Sequence, residues 1–578
     1  MYKLKDFLKP YKKECIVGPL FKLFEAILEL ILPTIMALII NNGVATKDTE
    51  YVFKMGGVML IMTILGYGSA MICQYYAARA SQGFGTNLRN ALFRHISSLS
   101  YAEIDSFGTS SLVNRLTNDV NQLQVAVAML IRLVVRAPFI CIGAIIMAMI
   151  LDFKLSLILI ATTPFFAVIL YLFIGKTSPM YKKYQQKLDK IASLLRENLG
   201  GVRVIRAFAN ISKEKDKFRE ANEDLTETAI DIGKISSLLN PLTLFVMNVA
   251  IIVLLWTGAL QIESGRLSAG TIIAFINYMT QVLYALTTVS GLIVIFTKAS
   301  ASGTRIKEIF ETTSSINDIN KDINNNAKES ISAIKFENVS FSYSKTGDMA
   351  LQNISLEIGK GETIGIIGGT GSGKSTFINL IPRFYDVTEG RILVEGIDVR
   401  NYPLKKLRRK ISVVPQKTEL FTGTIADNLR WGNENASIEE VIEAAKIAQA
   451  HEFISKLPKG YDREVARGGA NFSGGQKQRL TIARALVKKP EILILDDSSS
   501  ALDFATDAAL RKAIKKVSKE LTTIIVSQRA STIKTSDKIL VFDDGVLVGT
   551  GTHDELMNSC DVYKEICLSQ LSNEEAKK

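Results

Sequence analysis

Thr363-Ile-Gly-Ile-Ile-Gly368-Gly369-Thr370-Gly371-Ser372-Gly373-Lys374-Ser375-Thr376 runs a β-branched apolar segment into a glycine-rich turn that closes on Lys-Ser-Thr. The spacing G-x-x-x-x-G-K-[ST], with a strand pattern before it and a helical pattern after it, predicts a phosphate cradle. The glycines let backbone N–H groups wrap a phosphate, Lys374 is placed for the β- and γ-phosphates, and Ser375 and its neighbour Thr376 begin the helix. The Ser375 hydroxyl is expected on Mg²⁺. A chance glycine-rich turn would lack both flanks.

Outward from this loop, short β-branched strands alternate with helical patterns from Ile334 to about Leu568, an α/β arrangement assigned to 332–571. A second apolar strand, Ile492-Leu-Ile-Leu-Asp496-Asp497, ends in two adjacent carboxylates followed by Ser-Ser-Ser-Ala-Leu-Asp503. The polar, Asn-rich stretch 314–331 reads as a linker and 572–578 as a solvated tail.

The half before the linker is different in kind. The chain has 578 residues, too many for one core, and 47% of them are hydrophobic while 22% are charged. The mean hydropathy of +0.19 averages two unlike halves. About 20 apolar residues cross a bilayer core, and such runs fall near 15–41, 53–78, 126–150, 154–175, 240–262 and 271–298. The N-terminal basic residues precede an apolar run far longer than a signal-peptide core, so that run is read as a retained span. Lysines and arginines gather before the first span and after the second and fourth. This bias predicts a multi-pass protein of the plasma membrane with both termini and the α/β domain in the cytoplasm.

The same bias accounts for the net charge of +12. No aromatic and basic interleaving argues for nucleic acid, which is not expected as a partner. Five cysteines and three histidines form no CxxC pair or ligand cluster, which disfavours a disulfide framework or zinc site.

Two connections, Gly83–Leu123 and Lys176–Leu239, keep helical apolar spacing and are expected to continue the spans as helices into the cytoplasm. Breaks near Ser106-Phe-Gly108 and Ala207-Phe-Ala-Asn-Ile211 would let each pair turn, with a brief helix at the tip able to dock a soluble domain. Lys22, Glu25 and Glu29 in the first span, and Arg132 and Arg136 in the third, are intramembrane charges. All five fall in the inner-leaflet half, where structural ion pairing competes with substrate contact.

Further motifs name a family. Asn471-Phe-Ser473-Gly474-Gly475-Gln476-Lys-Gln-Arg-Leu, ahead of Ile492–Asp497 and Ser500-Ala-Leu-Asp503, resembles the signature sequence, Walker B strand and D-loop of ABC ATPases. The resemblance covers nearly the whole chain. Val413-Val-Pro-Gln416 is similar to the Q-loop, which implies Gln416 as a ligand of Mg²⁺ or water. Tyr343 is similar to the adenine-stacking aromatic, and 83–123 with 176–239 look like the intracellular extensions of ABC exporters. The implied fold is α plus α/β: a six-helix transmembrane exporter domain (1–313) followed by an ABC-type P-loop ATPase. The implied substrate of the ATPase is ATP with Mg²⁺, held by Ser375, Gln416 and Asp496. In this family one subunit's P-loop is closed by another subunit's signature.

Two positions depart from the family pattern. Asp497 stands where a catalytic Glu follows the Walker B Asp, and Gln528 stands where a switch His follows the strand Thr523-Ile-Ile-Val-Ser. Shortening Glu to Asp withdraws the carboxylate by about 1.5 Å, and a misplacement near 1 Å costs on the order of a hundredfold in rate. With Phe472–Gln476 intact, the pattern implies a heterodimer in which this chain binds ATP but hydrolyses it poorly. Its signature would complete the competent site of a second half-transporter. The expected cargo is a hydrophobic small molecule, as in multidrug exporters. Lipid or peptide export, or an ATP-gated channel or regulatory subunit, are the alternatives. The spans exclude a soluble DNA-acting ABC ATPase, and the fused domains argue against an importer subunit.

Overall fold

The computed structural model describes residues 4–318, 332–343, 347–517 and 520–570. Most of the expected linker, 319–331, and the whole expected tail lie outside the described residues. The chain divides into two compact units, Met1–Ser97 with Gly108–Thr312, and Ser98–Phe107 with Thr313–Lys578.

The first unit is all helix. Six helices are long and apolar enough to cross a membrane: Leu4–Val44, Thr49–Ser98, Thr109–Leu151, Phe153–Gly200, Ile211–Glu263 and Ala269–Glu311. Each contains one of the six apolar runs. At 1.5 Å per residue, the 50 residues of the second helix extend about 75 Å. This is well over twice the roughly 30 Å of a hydrocarbon core, so much of each helix extends beyond the apolar layer. A single residue, Asp152, separates the third and fourth helices. Its extended backbone (φ −159°) breaks the helix, and its carboxylate accepts from the Leu155 N–H at 2.8 Å to start the next one.

Packing in this unit centres on the sixth helix. Tyr278 is fully buried among Leu30, Leu155, Leu159, Leu254 and Phe275. Its hydroxyl donates to the Leu30 carbonyl at 2.7 Å and lies 2.8 Å from the Thr34 hydroxyl. Burying a phenol at this depth needs such a partner. Lower down, the fully buried Asp119 carboxylate accepts from Arg305 and from Ser302. Helical geometry loosens to π turns at Ile39–Val44, Arg115–Asp119 and Leu130–Val134.

The second unit contains the sheets. Five parallel strands run in the order Ile411–Val414, Ile492–Asp496, Thr522–Val526, Thr363–Gly368, Lys538–Asp543, with Val546–Gly551 antiparallel at the edge. Every residue of the central strand Thr522–Val526 is buried, which is why it reads as an unbroken β-branched run. An antiparallel sheet of Leu351–Gly359, Ser332–Phe341, Glu389–Val394 and Ile397–Asp398 completes the core. The short helix Tyr101–Phe107 belongs to this unit: Tyr101 packs on Phe384, ring centroids 4.7 Å apart, and the Tyr385 hydroxyl donates to Asp105 at 2.9 Å. The other short helix, Val202–Ala207, belongs to the first unit and is largely exposed.

Candidate nucleotide site

Strand register builds the site. Val526 pairs with both Ile366 and Asp496, so the ends of three parallel strands deliver the glycine loop, the paired carboxylates and Ser527-Gln528 to one edge. The carboxyl edge of such a sheet is where ligands of α/β folds bind.

The loop is shaped by contact. A Cβ on Gly368 would fall 2.1 Å from the Phe542 carbonyl, and one on Gly373 (φ 93°) 2.7 Å from that of Ala350, so neither position admits a side chain. A Cβ on Gly369 or Gly371 would meet nothing within 4 Å, leaving that side of the loop open. Lys374 is buried, with Nζ 3.0 Å from the Gly368 carbonyl, 2.5 Å from that of Gly369 and 3.2 Å from the Ser372 hydroxyl. Burial pulls its pKa down, while Asp496 and Asp497 oppose that. An ammonium curled inward on two carbonyls suits a group that an anion can draw out. Thr370 is exposed on the same loop.

Burial and the neighbouring Asp497 charge push the Asp496 carboxyl above its usual range, against the opposing pull of a hydrogen bond from Ser375 and the Lys374 charge. A carboxylate so placed, touching a hydroxyl, has the donor set of a Mg²⁺ site that relies on phosphates for its remaining ligands. Among the described residues no three His, Cys, Asp or Glu side chains converge as a metal cage. Asp497 lies in the left-handed region (φ 46°), its N–H donating to the Val526 carbonyl at 2.9 Å. Its Oδ2 accepts from Gln416 Nε2 at 3.2 Å. Gln416, Asp496 and Asp497 are thus brought together with the loop.

Tyr343 is exposed, edge-on to Phe341 and Tyr385, with its hydroxyl 3.0 Å from that of Thr376. Gln528 is also exposed at the strand edge. The sequence reading missed what holds it. Gln570, on the helix Asp561–Gln570, donates from Nε2 to the Gln528 carbonyl at 2.7 Å and accepts from the Ala530 N–H at 2.9 Å.

The signature is built separately. Ser473 caps the helix Gly474–Val487 with a reciprocal box: the Gln476 N–H reaches the Ser473 hydroxyl at 3.3 Å and the Ser473 N–H reaches Gln476 Oε1 at 3.0 Å. Gly474 is open, and Gly475 abuts the Ala501 carbonyl. Asp503, exposed beyond it, accepts from the Thr506 N–H and hydroxyl at 2.9 and 2.8 Å, which hold its carboxyl below the usual range. Among the described residues no hydrogen bond joins this helix end to the glycine loop.

Residues 15–286 match the family "ABC transporter transmembrane region" and residues 351–500 the family "ABC transporter". Over 574 residues, 99% of each chain, the sequence is 40% identical to the uncharacterized ABC transporter ATP-binding protein YfiB of Bacillus subtilis. The chain belongs to the ABC transporter family. This ABC transporter is also 33% identical, over 99% of its length and 100% of the relative's, to YgaD of Bacillus subtilis, named for multidrug export. The structure of a bacterial Atm1-family ABC exporter with ATP bound superposes with a TM-score of 0.80 at 25% identity, covering 97% of this chain and 99% of that one. One transmembrane region fused to one ATPase domain makes it an exporter half-transporter of the multi-pass membrane class.

Proposed function

We propose that this half-transporter pairs with a different half-transporter to export hydrophobic compounds across the plasma membrane, with both termini and the ATPase domain on the cytoplasmic side. The observation that carries the reading is the pair of substitutions at the site edge, Asp497 and Gln528, beside a complete signature. In this proposal Gly368–Gly373 wrap the phosphates of ATP, Lys374 leaves its loop carbonyls for the β- and γ-phosphates, and Tyr343 stacks on the adenine.

Ser375, Asp496 and Gln416 would hold Mg²⁺, which when bound neutralises phosphate charge. Asp497, already engaged by Gln416 and one methylene short, is poorly placed to take a proton from water at the γ-phosphate. Gln528 replaces an imidazole with a neutral amide, which removes a further charge-stabilising contact. Binding without rapid hydrolysis follows. The open N-terminus of the Gly474–Val487 helix, Ser473 to Gln476, would close over the partner's nucleotide, with Asp503 at the same face.

The test is to purify this chain alone and assay it. Retained nucleotide binding with slow turnover is expected. Brisk Mg·ATPase activity that is lost in Lys374→Ala would sink the proposal.

A further inference from the structure

The sheet that carries the glycine loop and the paired carboxylates at its carboxyl edge also borders a cavity at its amino edge. Thr363 and Thr523, paired in register at the starts of two parallel strands, line it with residues of the helix Phe504–Val517 and of the segment Thr532–Asp537. Its volume is about 310 Å³. That is the small end of ligand pockets, suited to a molecule of sugar size rather than a nucleotide.

Arg511 and Lys515, four residues apart and so on one face of their helix, both line the cavity. Arg511 is anchored: its Nε donates to the buried Asp507 carboxylate at 3.1 Å and its Nη1 to the Thr532 carbonyl at 3.1 Å. Its Nη2 makes no hydrogen bond with a described residue. Lys515 Nζ makes none either, and stands 3.9 Å from Asp537 Oδ1, too far for one. Asp537 is engaged through its other oxygen, which accepts from the Thr363 N–H at 2.8 Å. The rest of the lining is hydroxyls, those of Thr535 and Ser536 among them, and an aliphatic patch of Ile514, Leu521 and Ile525.

The spare N–H donors of these two cationic heads outnumber what a carboxylate's two oxygens need. A phosphate monoester, with three acceptor oxygens and close to two negative charges, uses them. Asp537 Oδ1 and the lining hydroxyls are partners for the hydroxyls of a sugar, and the aliphatic patch for its C–H face. We propose that this cavity binds a phosphorylated sugar of about hexose size, with its phosphate on Arg511 and Lys515 and its hydroxyls on Asp537 and the strand-start threonines. The site is independent of what the protein transports. Its walls follow closely on Asp503 and Gln528 in the chain, so an occupant ties together the two segments that leave the nucleotide site.

The full-length chain in phosphatidylcholine nanodiscs, its glycine loop filled with Mg²⁺ and a non-hydrolysable ATP analogue, is titrated calorimetrically with glucose 6-phosphate, glucose and inorganic phosphate. Glucose 6-phosphate should bind with a Kd of about 1 mM or tighter, at least about tenfold tighter than either fragment, and should slow hydrogen exchange in 511–517 and 532–537. Lys515 is exposed and holds no hydrogen bond of the fold, so Lys515→Glu should fold normally. It should weaken the ester at least about tenfold, the scale of one charge-assisted hydrogen-bonded pair, and leave glucose unchanged. Lys515→Arg should keep most of the affinity. No binding of glucose 6-phosphate by the wild type overturns the proposal, and so does equal affinity for inorganic phosphate, which marks a simple anion site. Protection that falls in 368–376 instead puts the ester in the glycine loop and overturns it, as does unchanged affinity in Lys515→Glu.

Discussion

Gln416 donates its side-chain amide to the Asp497 carboxylate across 3.2 Å, tying the second carboxylate after the strand Ile492–Asp496 to the loop that follows the edge strand. In the reading proposed above, a Glu at 497 would carry its carboxylate one C–C bond further, about 1.5 Å. Under the proposed heterodimer, Asp497→Glu together with Gln528→His should raise ATP turnover of the assembled pair by about tenfold or more, given that a displacement near 1 Å costs on the order of a hundredfold. Asp497→Asn alone should change turnover little. Steady-state phosphate release measures both, and a flat response to the double restoration removes the case for an impaired site.

Gln570 bridges the Gln528 carbonyl and the Ala530 N–H, so it braces the loop that carries Gln528. Gln570→Ala removes two hydrogen bonds at about 1 kcal/mol each, enough to speed local opening by about thirtyfold. Hydrogen exchange of the 527–530 amides reports this directly. Gln570→Glu keeps the acceptor for Ala530 but loses the donor to Gln528, and should give an intermediate rate. Equal rates in all three proteins would show that the bridge does not hold the loop.

The contrast between these residues shows what sequence reading can reach. Lys374, Asp496 and Ser473 were legible because each sits in a spacing that fixes its neighbours' geometry: strand, turn and helix start follow within a few residues. The six membrane helices were legible for the same reason, since a bilayer imposes length and composition locally. Gln570 was not legible, because a lone glutamine in a polar C-terminal helix carries no periodic or motif signal, and its partners lie 40 and 42 residues away. The pairing of Arg136 with Glu29, 107 residues apart, was expected only as a class of interaction. That Lys22 would turn to Glu25 on its own helix depends on rotamers that no hydropathy pattern encodes.

Tyr385 touches both the helix Tyr101–Phe107 and Tyr343: its hydroxyl donates to Asp105, and its ring meets Tyr343 edge-on at 5.3 Å between centroids. Tyr385→Phe keeps the ring and removes the hydroxyl. ATP affinity should stay within about threefold, because the lost hydrogen bond is worth roughly 1 kcal/mol and is made to Asp105 rather than to Tyr343. Substrate movement per ATP hydrolysed should fall, and Asp105→Asn should reproduce the loss. Transport and hydrolysis measured together in proteoliposomes decide it: an unchanged ratio means that this contact carries no coupling.

Gly474 offers a direct test of where this chain contributes to hydrolysis. A Cβ there would meet nothing within 4 Å, so a side chain at 474 fits without disturbing the fold. The position is the first of the Gly474–Val487 helix, where amides and the helix dipole favour an anion. Gly474→Asp places a fixed negative charge where the partner's nucleotide phosphates would sit. Turnover of the assembled pair should fall on the order of a hundredfold, the usual scale for losing an electrostatic contact in a reacting site. ATP binding at this chain's own loop, read by a fluorescent nucleotide analogue, should persist, because no hydrogen bond joins the two sites among the described residues. The equivalent change in the partner's signature should cost much less, since the site it closes is the slow one. If the two substitutions cost the same, the two sites hydrolyse alike and the asymmetry argued from Asp497 and Gln528 is absent.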